Sequence, residues 1–160
     1  LTQSENSYFL PNGQIGEEYL QIKRRDYVII FAIDKDENIL LERQYRRGID
    51  DLNYELPAGN IEGDEIPETT AIREMKEETG YDIVVEKVHL IYPQPAYIEQ
   101  LAYIVIAKIK GEQGEIKREF DEDIEMQFIK LENLKSMIAE GKIKDMGLIS
   151  ALGFYLGSSL

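Results

Sequence analysis

Between Gly59 and Tyr81 the chain reads GNIEGDEIPETTAIREMKEETGY, and no other stretch limits so closely what it can fold into. An acidic, glycine-containing loop over residues 60–65 runs into a short helix that starts near Ile66. Pro67 suits the first helical position, and Asp64 or Glu65 suits the positive end of the helix dipole. Ala71, Ile72, Met75 and Thr79 recur at helical spacing and predict the face that packs inward, with Gly80 placed to end the helix. Glu74, Glu77 and Glu78 take the opposite side, with Arg73 as their basic neighbour in register. Like charges four apart cost a bare helix ~0.3 kcal/mol a pair. An ordinary solvated face interleaves lysines, so the crowding predicts something cationic bound against it.

Glutamates on successive turns offer hard oxygen ligands of the kind Mg²⁺ and Mn²⁺ prefer. A helix anchored through Ile72 and Met75 holds them more firmly than a loop would. The turn Pro57-Ala58-Gly59 feeds directly into this unit, so one of its backbone carbonyls can complete a metal shell. An ion held there can bridge a diphosphate, neutralise charge during attack on it and acidify bound water. Arg73 and Glu77, four apart, form a pair that fixes a glutamate. Spacing alone leaves a second reading open, that of a solvated acidic face on an acidic protein.

Charge sharpens the choice. The 31 acidic residues against 18 basic ones give a net charge of -13. Such a field repels nucleic acid, so none is expected as a partner. It also repels a small phosphate ester unless cations neutralise the pocket, which makes a metal more necessary. The chain has no Cys and one His, His89, so thiolate zinc sites, cysteine nucleophiles and His-rich metal clusters are excluded. No apolar run reaches the ~18 residues of a membrane span, and LTQSENSYF lacks a basic region followed by an apolar one. No membrane partner is expected, and the expected compartment is the cytoplasm. The 160 residues fit one domain over 1–160, long enough to bury a core.

Along the chain, residues 1–16 are polar and turn-rich, with Pro11-Asn12-Gly13 marking a turn. Residues 17–23 form a candidate short strand. Residues 27–33 (YVIIFAI) read as a buried strand, 34–38 as a hairpin turn and 39–45 as the returning strand. Arg43, Arg46 and Arg47 leave its end as a basic patch. Residues 54–56 are a brief strand before the Pro57-Ala58-Gly59 turn. Beyond the acidic helix, residues 84–91 and 101–109 read as strands, separated by the proline-stiffened loop 92–100. Residues 111–123 (GEQGEIKREFDED) read as a mobile acidic loop and 124–129 as a final strand. Two helices close the chain, over 131–140 and about 145–156. Strands with helices outside them give an α/β fold, an α/β/α sandwich on a mixed central sheet.

The segment from Gly59 to Tyr81 resembles the signature of the Nudix hydrolases. That signature places a glycine, five residues, a glutamate and seven residues before arginine, glutamate, an apolar residue, any residue, two glutamates, any residue, glycine and an apolar residue. Gly59, Glu65, Arg73, Glu74, Glu77, Glu78 and Gly80 match its seven fixed positions, while Tyr81 stands where an aliphatic residue is usual. RQYRR (43–47), YELPAG (54–59), the YPQP loop and GKIKD before an apolar helix extend the likeness over about residues 19–156. They resemble the subgroup that hydrolyses ADP-ribose and related nucleoside diphosphate sugars, which implies the Nudix α/β/α sandwich and, from ADP-ribose, the products AMP and ribose 5-phosphate.

The resemblance also implies roles. Glu74 and Glu78 would ligate Mg²⁺, or Mn²⁺ in its place, with Glu77 ligating or holding a second ion through water and the Ala58 carbonyl adding a ligand. Arg73 would hold the glutamates by ion pairing, and Glu65 would support the loop-helix junction. Arg46 would touch a substrate phosphate, which a guanidinium fork fits well. Glu122 stands where the subgroup often supplies another metal-binding carboxylate. Phe120 stands where some relatives have a glutamate taken as general base, and Glu119 next door can substitute. Activation of the water by one of the box glutamates is the other route. The subgroup implies a homodimer, with residues 1–23 as an arm reaching the partner.

Other residues carry lighter claims. Tyr19 and Tyr97, like Tyr8 and Tyr92, could stack on a base, and Glu99 could touch ribose or metal; the ordinary alternatives are packing and surface charge. Arg25 joins the substrate group only where the amino-terminal strand reaches over the site, and otherwise Arg24, Arg25 and Arg47 are surface charge. His89, in VHLIY, is expected as an edge or core histidine. Two further functions stay open. One keeps the chemistry on another nucleotide (a modified nucleoside triphosphate, a dinucleoside polyphosphate or a GDP-sugar), and the other is a non-catalytic nucleotide-binding module. The three crowded acids argue against the last.

Overall fold

The computed structural model describes residues 2–117 and 124–157. Ten strands and three helices follow in the order β1 (Thr2–Phe9), β2 (Ile15–Lys23), β3 (Tyr27–Ile33), β4 (Asn38–Arg46), β5 (Asp51–Glu55), β6 (Ala58–Asn60), α1 (Pro67–Glu74), β7 (Asp82–Ile91), β8 (Ile98–Glu99), β9 (Ala102–Lys110), β10 (Ile124–Lys130), α2 (Leu131–Ala139) and α3 (Met146–Gly157). The main sheet runs β10-β4-β3-β9-β7, with β5 paired to β4 and β6 to β3. Its β3–β9 pair is parallel and its other pairs are antiparallel, so the sheet is mixed.

Alternation along β3 builds the two layers. Val28, Ile30 and Ala32 point to one face and pack with Ala71 and Met75 of the acidic helix. Ile29, Phe31 and Ile33 point to the other, where Leu134, Leu148, Ala151 and Leu152 of α2 and α3 cover them. A two-residue side-chain period makes one apolar strand serve both cores. Phe31 is fully buried, worth about 3 kcal/mol of transfer free energy, and stacks on Tyr155 with centroids 5.0 Å apart. The result is the α/β/α sandwich expected from the strand and helix pattern. Among the described residues no helix is long and apolar enough to cross a membrane.

Three features differ from the sequence reading. Residues 2–9 form a strand, not a turn-rich lead: β1 pairs antiparallel with β2, and β2 pairs parallel with β8 through Ile22 and Ile98. The turn falls where expected, with Gly13 at φ 83° and the Gln14 amide donating to Asn12 Oδ1 at 3.1 Å. The acidic helix leaves α-geometry at Met75 and runs through Thr79 as a π-turn, ended by Gly80 at φ 76°. Its buried stripe is Ala71, Met75, Glu78 and Thr79, whereas Ile72 is 45% exposed. Ile72 sits about a quarter-turn off that stripe, so it does not anchor the helix, and Glu78 lies on the inward side with Met75. His89 behaves as a packing residue of the β7 edge strand, its ring stacked on Phe154 with centroids 4.4 Å apart.

Candidate active site

β3 also positions the site. β6 pairs back onto it, Ile29 opposite Ala58 and Val28 opposite Gly59, and the Ile30 amide donates to the Pro57 carbonyl at 2.9 Å. The Pro57-Ala58-Gly59 segment, whose last two residues belong to β6, is therefore fixed to the centre of the sheet, with the acidic helix packed beside it. Gly59 and Glu74 share one space. A Cβ on Gly59 would lie 1.9 Å from Glu74 Cδ, so only glycine admits the carboxylate there.

Arg73 organises the acids. Its Nε donates to Glu65 Oε1 at 3.0 Å and its Nη2 to Glu65 Oε2 at 2.9 Å, a two-point pair. Nη1 reaches Glu74 at 2.7 Å and Glu77 at 3.2 Å, and Nη2 also donates to the Asn60 carbonyl at 3.1 Å. Thr70 Oγ1 and the Glu62 amide complete the shell around Glu65. The guanidinium holds the Glu65 carboxyl down at about 2, the hydrogen bonds outweighing partial burial. Arg73 is itself held well above its ordinary value, chiefly by Glu65. Glu65 therefore fixes Arg73, and Arg73 fixes the glutamates.

These groups surround a cavity of about 400 Å³ bounded by Ala58, Gly59, Asn60 and Glu62 on one side and Glu74, Glu77, Glu78 and Lys117 on the other. Glu78 is 8% exposed and Glu77 is the most open of the three acids, its side chain 45% exposed. Among the described residues no three carboxylates converge closely enough to hold an ion by themselves. The donor set still fits one. It is all oxygen, it includes the carbonyl edge of β6, and Gly59 leaves the Glu74 carboxylate room against that edge. Mg²⁺ commonly takes one or two carboxylates and completes its shell with water and substrate phosphate.

A second cavity, of about 500 Å³, shares the Ala58-Gly59-Asn60 wall and is lined by Arg24, Arg46, Glu55, Tyr27 and Asp145 among others. Arg46 Nε donates to both Glu55 oxygens, at 2.9 and 3.1 Å. Burial pushes the Glu55 carboxyl up in spite of Arg46. Burial, with Asp145 nearby, also pushes the Tyr27 phenol up. Asp145 Oδ1 accepts from the Leu148 amide at 2.8 Å, capping α3. One wall thus carries an acidic chamber on one side and an arginine-bearing chamber on the other.

Glu99, Tyr97 and Arg25 lie outside both cavities. Glu99 faces Lys23 at 2.5 Å because β8 pairs with β2, and neither cavity includes it. Tyr97 is 42% exposed outside both cavities, and its carbonyl accepts from the Ile22 amide at 2.9 Å. Arg25 is exposed in the β2–β3 link, and its carbonyl accepts from Gln100 Nε2. Tyr19 belongs to β2, opposite Asn6. Glu119, Phe120 and Glu122 lie outside the described residues. Sequence reasoning passed over Glu55, Asp145 and Lys117, and it took Arg24 for surface charge, whereas Arg24 lines the second cavity. Asp145 carried the one usable signal, an aspartate just before an apolar helix.

Residues 23–148 match the family model for the NUDIX domain. The chain belongs to the Nudix family. Over 139 residues this Nudix hydrolase is 30% identical to the ADP-ribose pyrophosphatase of Bacillus subtilis (strain 168), covering 85% of this chain and 74% of that protein. It is 27% identical over 147 residues to the methanol dehydrogenase activator of Bacillus methanolicus, covering 91% and 79%. A crystal structure of an ADP compounds hydrolase shares the fold with a TM-score of 0.76 at 22% identity, covering 94% of this chain and 82% of that one. The sandwich is thus the Nudix sandwich, and the chain is a pyrophosphohydrolase that cuts a nucleotide-linked diphosphate.

Proposed function

We propose that this Nudix hydrolase cuts the diphosphate of ADP-ribose or a closely related nucleoside diphosphate sugar, with Mg²⁺ as its cofactor. The observation that carries the reading is the shared wall: one strand, Ala58–Asn60, borders both the acidic cavity and the cavity holding Arg24 and Arg46. A diphosphate lying across that strand meets arginines on one side and the carboxylates on the other. The likeness to the Bacillus subtilis ADP-ribose pyrophosphatase supports the choice of substrate.

Glu74, Glu77, Glu78 and the Ala58 carbonyl would hold the ion, which supplies charge neutralisation at phosphorus and a more acidic water. Arg46, oriented through Nε by Glu55, turns its remaining N–H groups to a phosphate. Arg73 keeps the glutamates at fixed spacing. Water oxygen attacks one phosphorus, the bridging P–O bond breaks, and the leaving phosphate carries off that oxygen. The proton lost by the water passes to a cavity carboxylate.

Mass analysis of products from a panel of nucleoside diphosphate sugars, dinucleotides and nucleoside triphosphates tests this directly. The expected result is AMP plus ribose 5-phosphate from ADP-ribose, only with Mg²⁺ or Mn²⁺ present. Preferential cleavage of triphosphates would overturn the substrate class.

A further inference from the structure

The acidic run that follows β9 reads as a mobile loop, yet residues 113–117 are tied down. The Gly114 amide donates to the Gly80 carbonyl at 2.9 Å and the Lys117 amide to the Glu77 carbonyl at 2.8 Å. Gln113 Nε2 donates to the Thr79 carbonyl at 3.0 Å. All three acceptors belong to the π-turn and its cap, where backbone carbonyls at a helix end need partners from outside the helix. Glycine is required at the contact: a Cβ on Gly80 would meet the Gly114 carbonyl oxygen at 2.6 Å.

The outcome is the placement of Lys117. It sits on the lip between the acidic cavity and a depression of about 430 Å³ lined by Ile72, Lys76 and Glu77. Among the described residues two cations line the acidic cavity. Arg73 is committed to Glu65, Glu74 and Glu77, whereas Lys117 forms no ion pair with any described residue. In a chain of net charge -13, an uncommitted ammonium beside four glutamates is the group an incoming anion would meet.

We propose that Lys117 is a substrate-phosphate-binding residue, held at the lip of the cavity by the docking of residues 113–117 onto the π-turn. This rests on the diphosphate-sugar reading of the site. Its ammonium donates to a non-bridging oxygen of the diphosphate, on the far side from Arg46. Because Lys117 is exposed and belongs to neither core cluster, Lys117→Met should leave the fold intact.

The test is steady-state hydrolysis of ADP-ribose at saturating Mg²⁺ by the parent, Lys117→Met, Lys117→Arg and Gln113→Ala. Calorimetric binding of a non-cleavable methylene analogue of ADP-ribose accompanies it. K117M should raise KM and weaken analogue binding about tenfold, the scale of one charge-assisted hydrogen bond, with an unchanged melting temperature. K117R should restore most of that loss, and Q113A should show a smaller shift in the same direction. An active parent with K117M within twofold of it in both KM and analogue affinity would overturn the role of Lys117 alone. A parent that hydrolyses no nucleoside diphosphate sugar would overturn the proposed function and this assignment together.

Discussion

Arg73 makes contacts at five oxygens with four residues, so the acids around it behave as one unit. Glu65 is its firmest partner, and acid should expose that. With a folded value of about 2 against an ordinary 4.5, Glu65 contributes stability that is fully present above about 4.5 and is lost as pH falls toward 2. In urea titrations with chelator present, the stability gap between the parent and Glu65→Gln should be constant above pH 5 and close below it. Gly59 makes a sharper prediction. Gly59→Ala sets a methyl where the Glu74 carboxylate lies, so that carboxylate must move. The clash is with the outer end of a flexible side chain that lines a cavity, so it is relieved by turning the carboxylate aside at small cost in stability. Turnover should fall ~100-fold, the scale on which displacing a group that holds a metal matters, while scanning calorimetry should show a melting point close to the parent's.

At the scale of elements, the π-turn has a cost that its surroundings offset. Thr79 is fully buried, donates to the Met75 carbonyl at 2.5 Å and accepts from the Tyr81 amide at 3.2 Å. Thr79→Val keeps the shape and removes both bonds, so urea unfolding should show a loss of about 1–2 kcal/mol. The acidic helix was legible from its start: proline, acids and apolar residues at helical spacing placed it to within a residue. The π-turn was not, because its carbonyls are satisfied by Gln113, Gly114 and Lys117, more than thirty residues away. β1 was hidden for another reason. TQSENSYF shows no apolar alternation, and its pairing depends on β2 lying alongside. YVIIFAI, by contrast, announced a strand buried on both faces. Within the site, the signature named Gly59, Glu65, Arg73 and the three glutamates. Arg24, Glu55 and Lys117 come to the cavities only through strand pairing and loop docking, which no local pattern encodes.

For the whole molecule, β1, β2 and β8 form a small three-stranded sheet separate from the main one. Phe9 and Ile15 flank the turn of the β1–β2 hairpin, 78% and 67% exposed. If the hairpin is the arm of a homodimer, Phe9→Asp with Ile15→Asp should sediment as a monomer where the parent sediments as a dimer. A dimer that survives both changes would remove the arm from the interface. The sandwich itself serves one arrangement, an acid ridge and an arginine chamber on the two sides of β6. Glu78→Gln addresses that arrangement most directly, because the change keeps the shape of a buried side chain and removes its charge. With Mg²⁺ and ADP-ribose, the variant should lose turnover by ~100-fold or more and melt with the parent. Turnover at the parent rate would contradict the account.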